Sequence, residues 1–136
     1  MKLRKLRNDS SFSGKRVLVR IDGNVPIEKG RAVDGPHGRI ARAAVDLDWL
    51  IQRGARVIVM THLGRPDGRR KSAYSVKPIA KRLSSLLGTK VAISSALVGP
   101  HAKRHVDAMK DGQILILENL RFDSREEQND VAFAKE

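Results

Sequence analysis

Four short apolar runs, hardly interrupted by polar residues, constrain this chain more than any other feature. They are Val17-Leu18-Val19-Arg20-Ile21, Val57-Ile58-Val59-Met60, the weaker Val91-Ala92-Ile93, and Ile114-Leu115-Ile116-Leu117. A strand with one wet face alternates apolar and polar residues. A run without alternation needs cover on both faces, as in a parallel sheet between helices. The intervals have helical spacing. Ile40, Ala43, Ala44, Leu47, Leu50 and Ile51 make one face of a helix from Ile40 to Arg53, closed by Gly54; Ile79, Ala80, Leu83, Leu86 and Leu87 make one face of a helix from Val76 to Leu87, stopped by Gly88. A third, shorter helix runs from Pro100 to Lys110 and ends at Asp111-Gly112. This alternation predicts an α/β architecture: an open parallel sheet, doubly wound in the Rossmann-like manner, with flanking helices and right-handed crossovers.

Two segments, 28–39 and 64–71, are rich in Gly and Arg and read as loops. Near the far end, Asn129-Asp130 would cap a helix whose body, 131–136, is under two turns. A helix that short does not hold without more chain or a partner. The ending therefore reads as that of a piece of a longer protein, and such a piece should be marginally stable or self-associate through an uncovered edge or face.

A chain of 136 residues is long enough for one domain with its own core. It has no cysteine, which excludes disulfides and Cys-ligated metals and suits a reducing compartment. The basic start, Met1 to Arg7, lacks the apolar run of a signal peptide, and no stretch approaches the roughly 20 apolar residues that span a bilayer. The expectation is a cytoplasmic protein that engages no membrane.

The formal net charge of +12 is unevenly spread: residues 1–110 carry 24 Lys and Arg against 8 Asp and Glu, and residues 111–136 carry 3 against 7. Such a surface attracts anions, and a polyanion-binding protein is one reading of it. Five aromatic residues, none set among clustered basic ones as a stacking platform, argue against a specific nucleic-acid partner.

In open α/β sheets ligands bind beyond the carboxyl ends of the strands. After the first run comes Asp22-Gly23-Asn24; after the second, Thr61-His62-Leu63-Gly64-Arg65-Pro66; after the fourth, Glu118-Asn119-Leu120-Arg121-Phe122. The third contributes only Ser94-Ser95. Two sets include Arg, whose planar fork matches carboxylate and phosphate oxygens, so an acidic small molecule is implied. Neither Gly-x-x-x-x-Gly-Lys-Ser/Thr nor Gly-x-Gly-x-x-Gly occurs, so no loop here cradles a nucleotide pyrophosphate. His101 and His105 stand four apart without a third metal ligand and read as a solvated helix face; no metal site is expected. No nucleophile elbow supports a hydrolase.

These strand ends carry a resemblance. Arg20-Ile21-Asp22-Gly23-Asn24-Val25-Pro26, Met60-Thr61-His62-Leu63-Gly64-Arg65-Pro66 and Leu117-Glu118-Asn119-Leu120-Arg121-Phe122 resemble, in order and spacing, three motifs of the phosphoglycerate kinases. Weaker echoes are Tyr74 to Pro78, Val98-Gly99-Pro100 and Phe133 to Glu136, so nearly the whole chain is covered. The resemblance implies a transferase of glycolysis that moves a phosphoryl group reversibly between 1,3-bisphosphoglycerate and ADP, giving 3-phosphoglycerate and ATP. It implies that residues 1–136 are part of a truncated N-terminal, 3-phosphoglycerate-binding domain. The C-terminal domain, which binds Mg and ATP or ADP, would be absent, leaving the piece inactive alone and without a cofactor of its own. The parent enzyme is usually a monomer. Carried over by position, Asp22 and Asn24 contact the glycerate, and His62, Arg65 and Arg121 grip carboxylate and phosphate. Arg39 contacts the substrate carboxyl and the migrating phosphoryl group, the one catalytic role assigned. Without the resemblance, Asp22 reads equally well as a turn cap, His62 as a loop histidine, and Glu118 and Asn119 as structural.

Two departures from the family pattern bear on the site. Gly23 replaces an aromatic residue, which is expected to remove packing beneath Asp22 and Asn24 and loosen their backbone. The loop Asp34-Gly35-Pro36-His37-Gly38-Arg39 is about two residues longer than usual, making Arg42 the alternative to Arg39. A non-catalytic anion-binding module of the same fold is the reading these departures favour.

Overall fold

The structure is a computed structural model that describes Leu6 and residues 11–136; apart from Leu6, the basic run at 1–7 lies outside the described residues. Strand β1 (Arg16–Arg20) is followed by a small hairpin, β2 (Ile27–Glu28) and β3 (Arg31–Ala32), and by helix α1 (Arg39–Ile51). Next come β4 (Arg56–Met60), α2 (Lys77–Leu87), β5 (Val91–Ser94), α3 (Gly99–Asp107) and β6 (Ile114–Leu117). Two short helices, α4 (Ser124–Glu127) and α5 (Val131–Lys135), close the chain.

The sheet is parallel throughout, in the order β1-β4-β6-β5. The two strands with the purest apolar runs, β4 and β6, take the centre, where both faces are covered. Val57, Val59, Ile114 and Ile116 pack with Ile40, Leu47 and Leu50 of α1 and Ile79 and Leu83 of α2. On the other face, Ile58, Leu115 and Leu117 pack with Val106 of α3 and Met109 just beyond it. Helices on both faces of a parallel sheet make the doubly wound α/β arrangement that the alternation predicts.

The structure corrects four expectations. The first apolar run is not covered on both faces: β1 is an edge strand, and Leu18 is 58% exposed, because the apolar cluster on this face joins β4 and β6, while α3 meets β1 through the Arg16–Asp107 ion pair at 2.7 Å. Residues 28–39 are not all loop. Lys29 and Gly30 both have positive φ (47° and 74°), the pair that a two-residue turn needs to match the twist of the strands it joins. Gly23 does not loosen its neighbours. It is buried, its N–H donates to Thr61 Oγ1 at 3.0 Å, and a Cβ there would lie 2.8 Å from that oxygen. Thr61 and Ile79 fill the space an aromatic ring would need. Finally, His101 and His105 are not both solvated. Their rings meet edge to face at 4.7 Å, and His105 Nδ1 is buried without a hydrogen-bond partner.

Candidate functional site at the carboxyl edge of the sheet

The carboxyl edge is stitched by buried polar side chains. Asn119 is fully buried and uses its whole amide: Oδ1 accepts from Leu63 N and Arg121 N, and Nδ2 donates to Leu63 O and Tyr74 O. Glu118, the residue after β6, accepts from Val76 N, Asn119 N and the Ser75 hydroxyl, and so holds the turn that leads into α2. Thr61 Oγ1 receives Gly23 N, and Thr61 O receives Leu120 N, tying β4 to the ends of β1 and β6. Burying polar groups in number is tolerable only when they are paired, and here the pairing fixes the loops that carry the expected site residues.

The first group of expected site residues lies on the β1 side. Arg39, the first residue of α1, reaches back so that Nη1 lies 3.1 Å from Asp22 Oδ2 and donates to Asn24 O at 3.0 Å. Asn24 Oδ1 accepts from Gly64 N at 2.9 Å. The longer loop before Arg39 brings it to this position because Asp34 folds under the helix start. The Asp34 carboxylate is shut off from solvent, takes the amides of Ile40 and Ala41, and meets Arg82 at 3.3 Å. Arg42 instead donates to His37 O, away from Asp22 and Asn24.

The second group lies across Gly64. Arg121 Nη1 donates to Gly64 O at 3.1 Å, so one glycine joins Asn24 through its N–H to Arg121 through its carbonyl. Gly64 has φ +62°, and a Cβ there would lie 2.4 Å from the Tyr74 ring, so both backbone conformation and space require glycine. His62 is half-buried and its pKa lies below the ordinary value, first because burial penalises the imidazolium and next because of the Arg121 guanidinium. Arg20 lowers it too, while Glu126 and Asp22 act in the opposite sense. His62 therefore registers charges from the ends of β1 and β6 at once. Arg65 is exposed and makes no hydrogen bond or ion pair among the described residues. It follows Gly64 but is hydrogen-bonded to none of the other expected site residues.

Two participants were missed by sequence reasoning. Arg20 and Glu126 pair at 3.1 Å beside His62. Period-two alternation could have put Arg20 on the face of Leu18, but nothing local marked Glu126, which lies 106 residues on. Arg70, exposed in the loop at 64–71, donates to Ser95 O and lies 5.6 Å from the centre of the Phe122 ring.

A doubly wound sheet with cationic side chains at its carboxyl edge defines an α/β domain whose basic groups stand where such folds bind their ligands. The chain belongs to the phosphoglycerate kinase family, whose profile matches residues 7–136. The phosphoglycerate kinase of Borreliella burgdorferi (strain ZS7) is 46% identical over 135 residues, covering 99% of this chain and 34% of that protein. Among solved structures, phosphoglycerate kinase from Coxiella burnetii aligns with a TM-score of 0.77 at 32% identity, over 94% of this chain and 31% of that one. The enzyme from Pyrococcus horikoshii OT3 aligns with a TM-score of 0.73 at 33% identity, over 88% and 28%. The chain thus spans about a third of the length of these relatives. No described helix is long and apolar enough to cross a membrane.

Proposed function

We propose that residues 1–136 form part of the phosphoglycerate-binding domain of a phosphoglycerate kinase and hold the three-carbon acid phosphate during reversible phosphoryl transfer to and from a nucleotide. The observation that carries this reading is the double tether of Gly64, which sets Asn24 and Arg121 on either side of one peptide beside His62. Asp22 and Asn24 would receive the glycerate hydroxyl and carboxylate region. Arg39, Arg65, Arg121 and His62 would neutralise carboxylate and phosphate. Phosphoryl transfer asks for positioning and for neutralisation of spread negative charge more than for covalent help, and guanidinium forks supply both.

Arg39 would follow the migrating group. Its pair with Asp22 has both side chains 58% exposed, an arrangement worth roughly 0–1 kcal/mol. A ligand carboxylate can take that place at little cost. Mg does not fit these side chains: it takes oxygen ligands in octahedral array, whereas guanidinium and imidazole groups dominate here. Among the described residues no group of three acidic, His or Cys side chains comes together. We infer that metal and nucleotide are held by sequence other than this, and that residues 1–136 alone do not catalyse transfer.

Calorimetric titration with 3-phosphoglycerate tests the reading. Arg121→Ala and Arg65→Ala should each remove a charge-assisted contact of about 1.5–3 kcal/mol, about 10- to 150-fold in affinity. Arg69→Ala should change little, since Arg69 is an exposed loop residue with no side-chain partner among the described residues. Equal losses at all three positions, equally relieved by salt, would mean diffuse attraction by the net positive surface.

A further inference from the structure

Arg121 faces more than Gly64. Its Nε lies 3.5 Å from Glu126 Oε2 and 3.6 Å from Glu127 Oε1, while Glu126 Oε1 accepts from Arg20 Nη2 at 3.1 Å. One carboxylate thus stands between guanidinium groups from the ends of β1 and β6, where an anion bridging them would stand. The arrangement is sheltered, with the side chains of Glu126 and Arg121 only 15% and 22% exposed.

It is also imperfect. Arg121 Nε and Glu126 Oε2 are both cut off from water, and neither has a hydrogen-bond partner. Charged atoms removed from solvent without a directional bond carry a desolvation cost that attraction alone repays poorly. An acceptor oxygen at normal hydrogen-bond distance from Nε would do better. Glu126 can leave without disturbing the core, because α4 is a single turn with no buried residue, anchored by the Asp123 carboxylate on Arg125.

We propose that Glu126 is an internal competitor for the anion site: its carboxylate occupies the position of the ligand's anionic group between Arg20 and Arg121, and binding requires its displacement. This rests on the carboxyl edge being the phosphoglycerate site proposed above. It adds a residue whose charge opposes binding and a guanidinium, Arg20, that becomes available when Glu126 moves. A residue that merely aimed Arg121 at the ligand would have the opposite effect when neutralised, so the sign of the change decides.

The test uses the full chain and the isosteric change Glu126→Gln, with 3-phosphoglycerate and, separately, inorganic sulfate as probes at low salt. Glu126→Gln should bind both anions about 3- to 10-fold more tightly. Glu28→Gln, which removes one negative charge from the exposed hairpin, should not. Glu126→Asp, which keeps the charge but withdraws it by one methylene, should fall between wild type and Glu126→Gln. The His62 ring proton titration confirms folding in each variant, and in Glu126→Gln it should shift to lower pH because a charge that raises the His62 pKa is gone. If wild type binds 3-phosphoglycerate and Glu126→Gln binds it equally or more weakly, the competitor is overturned while the site reading stands. If sulfate tightens but 3-phosphoglycerate binds neither protein, the competitor stands and the substrate reading fails. If neither anion binds either protein, both fail.

Discussion

Asn119 and Leu63 exchange two hydrogen bonds, Leu63 N to Asn119 Oδ1 at 3.2 Å and Asn119 Nδ2 to Leu63 O at 2.7 Å, and so lock the loop after β4 to the end of β6. The same amide also takes Arg121 N and reaches Tyr74 O. His62, Gly64 and Arg121 are therefore held in common register by a side chain that faces no solvent.

Asn119→Ala should leave several of these backbone groups buried and unpaired. At about 1–3 kcal/mol per unsatisfied group, with incomplete additivity, a loss of about 3–5 kcal/mol is expected. Urea denaturation monitored by circular dichroism gives the value. A loss under about 1 kcal/mol would mean that the loops hold themselves.

The helices and central strands were legible because β4 and β6 have uniform surroundings, and a run without alternation reports just that. The edge position of β1 was not, since Val17 to Ile21 looks the same on paper whether or not a helix covers Leu18. Asp22, Asn24, His62 and Arg121 were legible as strand-end residues, and the resemblance named the same positions. What the sequence hid were contacts across long separations. Gly64 looks like a loop glycine until Asn24 and Arg121 are seen on its two ends, and Glu126 looks like a surface helix residue until it meets Arg20.

The start of α1 depends on a carboxylate four residues before its N-cap, Gly38. A Cβ on Gly38 would sit 2.0 Å from Asp34 Oδ1, so Gly38→Ala must expel the group that receives the Ile40 and Ala41 amides. Loss of a helix cap costs about 0.5–2 kcal/mol, and Asp34→Ala should cost at least as much because Arg82 also loses its partner. Thermal melts of both variants measure this, and a neutral Gly38→Ala would show that Asp34 is dispensable.

Exposure along β1 predicts a contrast in core cost. Leu83 is fully buried in the main cluster and Leu18 is 58% exposed. Leu83→Ala should cost about 2–5 kcal/mol, and Leu18→Ala less than about 1 kcal/mol, because little area leaves water there. Equal costs, or a Leu18→Ala loss that grows with protein concentration, would reveal that the β1 face is covered by another copy in solution.

His62 gives a pH dependence with a definite sign. Its native pKa is lowered from the usual value near 6.5, chiefly by burial and by Arg121. The unfolded chain therefore binds more protons than the native one around pH 6, and stability rises with pH through that window. Stability is kept above about 6.5 and falls as the pH drops below it, until the native imidazole is itself charged. A bound dianion would raise the His62 pKa, so anion binding should take up a proton and tighten as the pH falls toward 6.5. Histidine ring resonances followed with and without 3-phosphoglycerate report both effects. A His62 that titrates above 6.5 in the free protein would contradict the burial and charge placement described here.

Arg39 and Arg42 offer the cleanest separation of role from proximity, since both lie in the first turn of α1 and carry the same charge. Arg39 points to Asp22 and the Asn24 carbonyl, whereas Arg42 donates to His37 O in the loop before the helix. Removing either lowers the net charge by one, so long-range attraction of an anion weakens equally. Only Arg39→Ala removes a guanidinium from beside the candidate glycerate site. Its affinity for 3-phosphoglycerate should fall by about 10- to 150-fold, the size of one charge-assisted contact, while Arg42→Ala should stay within about twofold, as a screened surface charge does. Arg39→Lys should recover little, because an ammonium cannot present two parallel donors to a carboxylate. Isothermal titration of the three variants at one salt concentration decides the matter: equal losses for Arg39→Ala and Arg42→Ala would reduce both to bulk charge, and a larger loss at Arg42 would move the site to the other side of the helix start.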